Sequence, residues 1–388
     1  MSDARVAVIW RSCLLPGSET FVRHQGDTLP TWRAVYLGAI RVDSPLSRDT
    51  DVLLCPDTPR GRRDWLRLRL TGDLPRLHRL LARLRPDVVH AHFGGDGWLV
   101  SRAATRLGIP LVITLHGLDV TRQPTAPGWR GARHRRHLRT AFDRAALILA
   151  VSGPIRDRAL ELGADPAKVR VHHTGVPVPA EPPTGPKNWD VVFVGRFVDK
   201  KGVDDLVEAL GLLADLRPRT LLIGTGPLLA RVRAQAERSG VDATFAGALP
   251  PDEVLRHIAG SRVLAAPSRT AADGDTEGLP TTILEAASRG VPVVSTYHSG
   301  IPEAVRHEVT GLLGPEADPP ALAANLRRLL TDSPLRQRLG EAAHRHAAAR
   351  FDLHRQSHTL ESLYTSLTAP SPHPFPIDHG GTASDTHP

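Results

Sequence analysis

Val191-Val192-Phe193-Val194-Gly195-Arg196-Phe197-Val198-Asp199-Lys200-Lys201-Gly202 is four apolar residues, a glycine and a basic loop. The next fourteen residues, V-D-D-L-V-E-A-L-G-L-L-A-D-L, carry apolar side chains at helical spacing. An unbroken apolar run predicts a strand buried on both faces; Gly195 ends it, and a helix is predicted from near Gly202. Strand, loop and helix in that order form a βα unit of a parallel sheet. Arg196 and Lys201 then sit in the loop leaving the carboxyl end of a strand, where open α/β sheets bind ligands. Only four of the chain's 49 basic residues are lysines, and two of them are Lys200 and Lys201. That pairing suggests that the loop needs a compact ammonium beside a guanidinium that can fork onto a diphosphate.

A second stretch, Glu277-Gly-Leu-Pro-Thr-Thr-Ile-Leu-Glu285, follows the apolar run Val263 to Ser268. Leu279, Ile283, Leu284 and Ala287 recur at about helical spacing, so a helix is expected from Pro280 to about Ser288, with Pro280 in its first turn. The N–H groups of Gly278, Leu279 and the first helical residues would form an anion- and hydroxyl-binding end. Glu277 stands just before that end, and Glu285 about two turns along the helix. One acid reaches hydroxyls near a bound phosphate and the other a second polyol, which is what a nucleotide-sugar requires. Taken alone, two glutamates flanking a helix are more often solvated; the Arg196–Lys201 loop is what favours a site.

The same alternation of apolar strands and amphipathic helices runs through the chain. Strands are expected at residues 6–9, 34–37, 88–90, 111–114 and 147–151, then at 191–194, 220–223, 243–245, 263–266 and 291–295. The fold class is therefore α/β, two doubly wound parallel-sheet domains facing a cleft. A proline-rich, aperiodic stretch at 176–188 separates an N-terminal domain, 1–175, from a C-terminal domain, 189–351. A helical segment at 352–368 follows, then a Pro-, Gly- and His-rich tail at 369–388 expected to be disordered.

A chain of 388 residues accommodates two such cores. No apolar run reaches 18 residues, and the N-terminus passes directly into a strand, so a cytoplasmic location is expected. Cys13 and Cys55, placed in loops, are expected to be free thiols. The net charge of +8 is concentrated in two arginine-rich amphipathic stretches, 60–85 and 130–144. Contact with the anionic inner face of a membrane, ordinary surface helices, or an electrostatic funnel for an acidic substrate are the open alternatives. No nucleic-acid recognition motif accompanies the charge, so no nucleic-acid partner is expected. Gly224-Thr-Gly-Pro227 puts proline where a dinucleotide fingerprint needs an open turn. NAD is not expected.

In this order, V-G-R-F-x-x-K-K-G, L-I-G-T-G-P, F-A-G, A-P-S, D-x-E-G-L-P-x-x-x-L-E-A, G-V-P-V-V, G-I-P-E and G-L-L resemble glycosyltransferase family 4, whose retaining members adopt the GT-B fold. The first half matches more loosely, through S-E-T-F, H-A-H-F, T-L-H-G-L-D and V-S-x-x-I, in the manner of bacterial exopolysaccharide-type members. The resemblance covers about residues 5 to 366. It implies transfer of a glycosyl unit from a nucleoside-diphosphate-sugar (uridine first, guanosine next) to a hydroxyl-bearing acceptor, without metal and with attack on the face from which the diphosphate leaves. It gives the diphosphate to Arg196 and Lys201, the ribose hydroxyls to Glu285, and the donor-sugar hydroxyls to Glu277, with the Gly278 and Leu279 amides close by. His116 falls near the reacting sugar, and the C-terminal helix crosses back to the first domain.

Gly17, Gly195, Gly224, Phe245, Gly247, Ala248, Ser268 and Pro280 complete the expected donor site; Phe245 to Ala248 flank the nucleobase mainly through backbone groups. Gly17 stands alone where many relatives carry a Gly-Gly pair. Glu19, His24 and His92 are the candidate acceptor contacts, His92 being preferred to His90 at the strand end. Asp119 is read as orienting the His116 loop. Asp273-Gly-Asp275 imitates a metal motif of a different glycosyltransferase fold, and Asp275 is read instead as stabilising its loop; no metal or other cofactor is expected. A sugar-nucleotide 2-epimerase or hydrolase, or a non-catalytic partner of a membrane glycan assembly, remain the competing functions.

Overall fold

The structure, a computed structural model, describes residues 4–369; the tail expected to be disordered lies, from residue 370 on, outside them. Seven parallel strands form the first sheet: β1 (Val6–Leu14), β2 (Arg33–Arg41), β3 (Val52–Leu53), β4 (Val88–His92), β5 (Leu111–Leu115), β6 (Leu147–Ala150) and β7 (Val169–Val171). Six form the second: β8 (Trp189–Val194), β9 (Thr220–Ile223), β10 (Ala243–Gly247), β11 (Ser261–Ala266), β12 (Val293–Thr296) and β13 (Gly311–Gly314). Their orders, β3-β2-β1-β4-β5-β6-β7 and β10-β9-β8-β11-β12-β13, are both doubly wound. The central strands are buried on both faces, as their unbroken apolar runs require. β3, β7 and β13 were not foreseen.

In each sheet the order reverses once, between β1 and β4 and between β8 and β11. The crevice at such a reversal lies at the carboxyl ends of the strands. Arg11 and Phe93 therefore come to one crevice, and Arg196 and the Glu277 loop to the other.

Three expectations about elements need correction. The helix after Gly202 runs only Val203–Gly211, behind a 3-10 turn at Asp199–Lys201. Beyond it, Leu213 and Leu216 bond three residues back, closing tight turns in place of helix. Pro280 precedes the helix Thr281–Ser288 and does not enter its first turn. Cys13 lies in β1 rather than a loop, and both cysteines are free.

The 176–188 stretch is laid along the second domain. Its first residue pairs with the second chain crossing: Val176 N–H donates to Phe351 O and Leu353 N–H to Val176 O, both at 2.9 Å. His344 Nε2 meets Pro179 O at 2.9 Å. The helix Leu353–Thr368 packs on the first sheet, burying Leu360 and Tyr364. Tyr364 OH lies 2.5 Å from His90 Nδ1.

Candidate active site

The loop after β8 and the loop before the helix Thr281–Ser288 meet through charge. Lys201 Nζ lies 2.9 Å from Glu277 Oε1 in a largely buried ion pair. Oε1 is buried, and the cation it faces is the Lys201 ammonium. Burial pushes the Glu277 carboxyl up, but the Lys201 and Lys200 ammoniums outweigh it and hold the group below the ordinary carboxylate range. The Glu277 backbone is clamped at both ends. Its N–H donates to His298 Nε2 at 3.0 Å, and its carbonyl accepts from Ser299 Oγ at 2.7 Å. Accepting an amide proton at Nε2 leaves the His298 proton on Nδ1, which faces Glu316 Oε1 at 2.7 Å. His298 was missed from the sequence, since nothing in S-T-Y-H-S-G marks it.

Lys200 turns instead to Asp275 Oδ1 and Thr276 O, both at 3.1 Å. Asp273 pairs with Arg122 Nε at 2.6 Å, so both carboxylates of the D-G-D stretch are held by cations. Arg196 is exposed and forms no ion pair among the described residues. Glu285, one helix face further in, is half-buried, and its carboxyl is desolvated and pushed up to about 7, Arg289 offsetting this in part.

Gly195, Gly224 and Gly247 stand side by side at the ends of β8, β9 and β10. Gly224 has φ +133°, and a β-carbon there would overlap Gly195 O. Its N–H donates to Gly247 O at 2.7 Å. Only glycine lets these strand ends approach so closely.

Across the cleft, Arg11 at the carboxyl end of β1 is buried between two acids. Its Nε and one terminal nitrogen donate to Glu19 at 2.7 and 2.6 Å, and the other terminal nitrogen pairs with Asp96. Burial alone would lower the Arg11 pKa, yet Asp96 and Glu19 hold the guanidinium firmly charged. Burial raises the Glu19 carboxyl, partly countered by Arg11. Glu19 thus faces the cleft as an anchored carboxylate. Arg11 and Asp96 escaped the sequence reading, because two residues 85 positions apart show no spacing pattern.

His116 reaches the cleft on the loop after β5. Asp119 shapes that loop: Oδ1 accepts from the His116 and Gly117 amides at 3.2 and 3.0 Å, and Oδ2 from Gly94 at 2.8 Å. The ring is desolvated, and Arg11 and His90 add repulsion, so its pKa falls to about 3 and it is neutral near pH 7. Its Nε2 meets His92 Nδ1 at 3.0 Å. His92, expected at the acceptor, is instead buried behind His116 and stays outside the cavity lining. Residues two apart on a strand share a face, so His90 and His92 stack at 4.5 Å and only His116 comes forward.

Of these groups, Arg11, Glu19, Asp96 and His116 from the first domain and Arg196, Lys200, Lys201, Glu277, Gly278, Leu279 and Pro280 from the second line one cavity of about 480 Å³; Glu285, Gly195, Gly224 and Gly247 are not in its lining. Several expected residues stay outside that lining. His24 lies five positions past Glu19, which at 3.6 residues per turn turns it away from Glu19. Gly17 is exposed beside Pro45, and Ser18 lines the cavity in its place. The Phe245 ring packs against Phe197 at 6.3 Å beneath Arg233 and lines a separate small pocket. Ser268 is buried, its carbonyl accepting the Thr296 hydroxyl. Ala248 is exposed just past β10.

The domains touch directly at this cleft. A β-carbon on Gly278 would overlap His116 O, and Ser152 Oγ donates to Gly278 O at 3.0 Å.

Two doubly wound parallel-sheet domains closing over a cavity of this make-up define the GT-B architecture. Residues 17–178 match the profile of Glycosyltransferase Family 4, and residues 179–346 that of Glycosyl transferases group 1. The chain belongs to glycosyltransferase family 4. It is 31% identical over 311 residues to WcaL of Salmonella typhimurium, provisionally named a colanic acid biosynthesis glycosyltransferase, covering 70% of this chain and 74% of that one. It is 32% identical over 261 residues to AmsK of Erwinia amylovora, an amylovoran biosynthesis glycosyltransferase. That match covers 63% of this chain and 61% of AmsK, less than two thirds of its length. Among solved structures, Anabaena HepE in complex with UDP superposes with a TM-score of 0.76 at 19% identity, covering 93% of this chain and 100% of that one, a likeness of fold.

Proposed function

We propose that the protein is a retaining, metal-independent glycosyltransferase that moves a sugar from a nucleoside-diphosphate-sugar, UDP-linked first and GDP-linked next, to a saccharide hydroxyl. The observation that carries this is the buried Glu277 carboxylate, held by the Lys201 ammonium at 2.9 Å just before a helix that faces His116 across the cavity. A sugar hydroxyl in the cavity would donate to this carboxylate beside the ammonium. A carboxylate already paired with an ammonium is a poor nucleophile, which favours a route without a glycosyl-enzyme intermediate. In that route the bond from the anomeric carbon to the diphosphate oxygen breaks, and the acceptor hydroxyl bonds to the same face. Its proton passes to the departing phosphate oxygen.

Arg196, Lys201 and the amides at the helix start would stabilise that charge, each charge-assisted bond contributing about 1.5–3 kcal/mol. Neutral His116 would hydrogen-bond the sugar without adding charge. The acceptor side, one arginine against the two acids Glu19 and Asp96, suits an uncharged saccharide better than a phosphate. The exopolysaccharide names of the relatives and the UDP in the HepE complex support the same donor and acceptor classes. Cytoplasmic enzymes of this kind meet lipid-linked acceptors at a membrane, and the arginine-rich helices favour such a peripheral position.

The test is a thermal-shift screen with UDP, GDP, ADP and dTDP in the absence of metal. One diphosphate is expected to raise the melting temperature clearly. Lys201→Ala should weaken that nucleotide about ten- to hundredfold, from the loss of one charge-assisted bond. No shift with any of the four, or activity that EDTA abolishes and manganese restores, would overturn the reading.

A further inference from the structure

The two arginine-rich stretches play no part in the cleft, yet they fold against each other. Arg133, on the helix Gly128–Arg144, donates at 2.8 Å to Arg69 O on the helix Pro59–Thr71. With the helix Gly94–Arg106 they wall a pocket of about 660 Å³ that shares no lining residue with the catalytic cavity. Arg102, Arg133, Arg136 and Arg144 line it together with His137, and none of the lining residues is acidic. Asp73 approaches Arg102 only to 3.8 Å, Arg144 reaches Ser101 Oγ at 3.2 Å, and Arg136 forms no ion pair among the described residues. His137 lies flat on Trp98 at 3.6 Å, making an aromatic wall. Gly72, at φ +62°, closes against the same indole, where a β-carbon would come within 3.0 Å of the ring.

The surroundings of this pocket are apolar where water would be expected. Trp129, Leu70 and Leu66 are the most exposed large apolar side chains among the described residues, at 67, 59 and 56%, and all three sit on the two arginine-rich helices. Leu66 and Leu70 are one turn apart on one face, Leu70 lines the pocket, and Trp129 is one turn before Arg133. We propose that this pocket binds the phosphate group of an anionic lipid, its arginines taking the phosphate oxygens while Leu66, Leu70 and Trp129 enter the apolar layer. Arginine forks fit phosphate oxygens, and a tryptophan suits the boundary between headgroups and acyl chains. A soluble phosphate would use the arginines and leave the three apolar side chains in water. This deepens the membrane position proposed above and is independent of the donor site.

The full chain is tested by co-sedimentation with phosphatidylglycerol-containing vesicles against pure phosphatidylcholine vesicles at fixed salt. Selective binding to the anionic vesicles is expected. Arg133→Ala with Arg136→Ala should weaken it by about fivefold per arginine, more than Arg63→Ala with Arg67→Ala outside the pocket. Trp129→Ser should weaken it too, and Arg136→Lys should retain part of it. The thermal shift produced by nucleotide should be the same in all these variants, which shows that they fold and that the cleft reading stands or falls separately. Equal losses from pocket and non-pocket arginines would mean diffuse charge and no site. Absence of vesicle binding, with or without stabilisation by inorganic phosphate, would overturn the lipid assignment.

Discussion

Glu285, proposed to meet the ribose of the donor, shows how burial alone unsettles a carboxylate. Its carboxyl, pushed up to about 7 by burial, is about half ionised near neutrality. Ribose hydroxyls donate to a carboxylate, so donor binding should favour the ionised form. The apparent KM for donor is therefore expected to rise as pH falls below about 7, approaching tenfold per unit, and to lose that dependence in Glu285→Gln. A flat profile in the unsubstituted enzyme would mean that Glu285 does not meet the donor. The stability consequence has the opposite sense. The folded pKa lies above the ordinary carboxylate value, so the penalty is absent at low pH, grows as pH rises toward about 7, and is complete above it. Glu285→Gln should accordingly melt higher than the parent at pH 8 and level with it at pH 4. Both glutamates were legible as candidates from their helical spacing, whereas their opposite pKa shifts were not. Burial raises both; Lys201 and Lys200 outweigh it at Glu277, whereas Arg289 only partly offsets it at Glu285.

At the scale of elements, the helix Thr281–Ser288 and the loop after β5 are brought together by what Gly278 lacks. A β-carbon there would meet both His116 O and the Val151 side chain. Gly278→Ala is expected to resist this closed arrangement by about 1–3 kcal/mol, the usual range for overpacking. That corresponds to a fall in kcat of roughly five- to a hundredfold with nucleotide binding nearly unchanged. An unaltered kcat would show that turnover does not pass through this contact. The motif E-G-L-P announced a helix start, but not that its glycine would face a carbonyl 162 positions earlier. β4 and β5 carry a similar lesson. H-A-H-F and T-L-H-G-L-D read as separate strand ends, and parallel pairing stacked their histidines into one row.

For the whole molecule, the helix Leu353–Thr368 is what ties the end of the described chain to its beginning. Tyr364 is fully buried, packs on Trp32 at 5.2 Å, and holds His90, whose other nitrogen meets Thr114 Oγ1 at 2.7 Å. Tyr364→Phe removes one partner of a buried histidine and should destabilise the first domain by about 1–3 kcal/mol. Urea unfolding followed by first-domain tryptophan fluorescence, in which that domain's transition should move to lower denaturant, measures it. An unmoved transition would mean that the hydroxyl contributes nothing net. The two chain crossings lie side by side at Val176 and Asp352, and Glu303 of the second domain holds the first, accepting from Gly153 N–H at 2.7 Å and meeting His173 Nε2 at 2.6 Å.

Two parallel sheets, their order along the chain, and the loops holding Arg196, Lys201, Glu277 and His116 were all readable from the sequence. Apolar runs, glycine stops and helical spacing are local signals, and local signals survive in one dimension. Tertiary structure alone decided that Arg11 would be held between Glu19 and Asp96, that His92 would support His116 from behind, and that His298 would clamp Glu277. It also decided that two arginine-rich helices would enclose a pocket. Each of these depends on which groups, distant along the chain, lose their water together, and no spacing along a sequence records that.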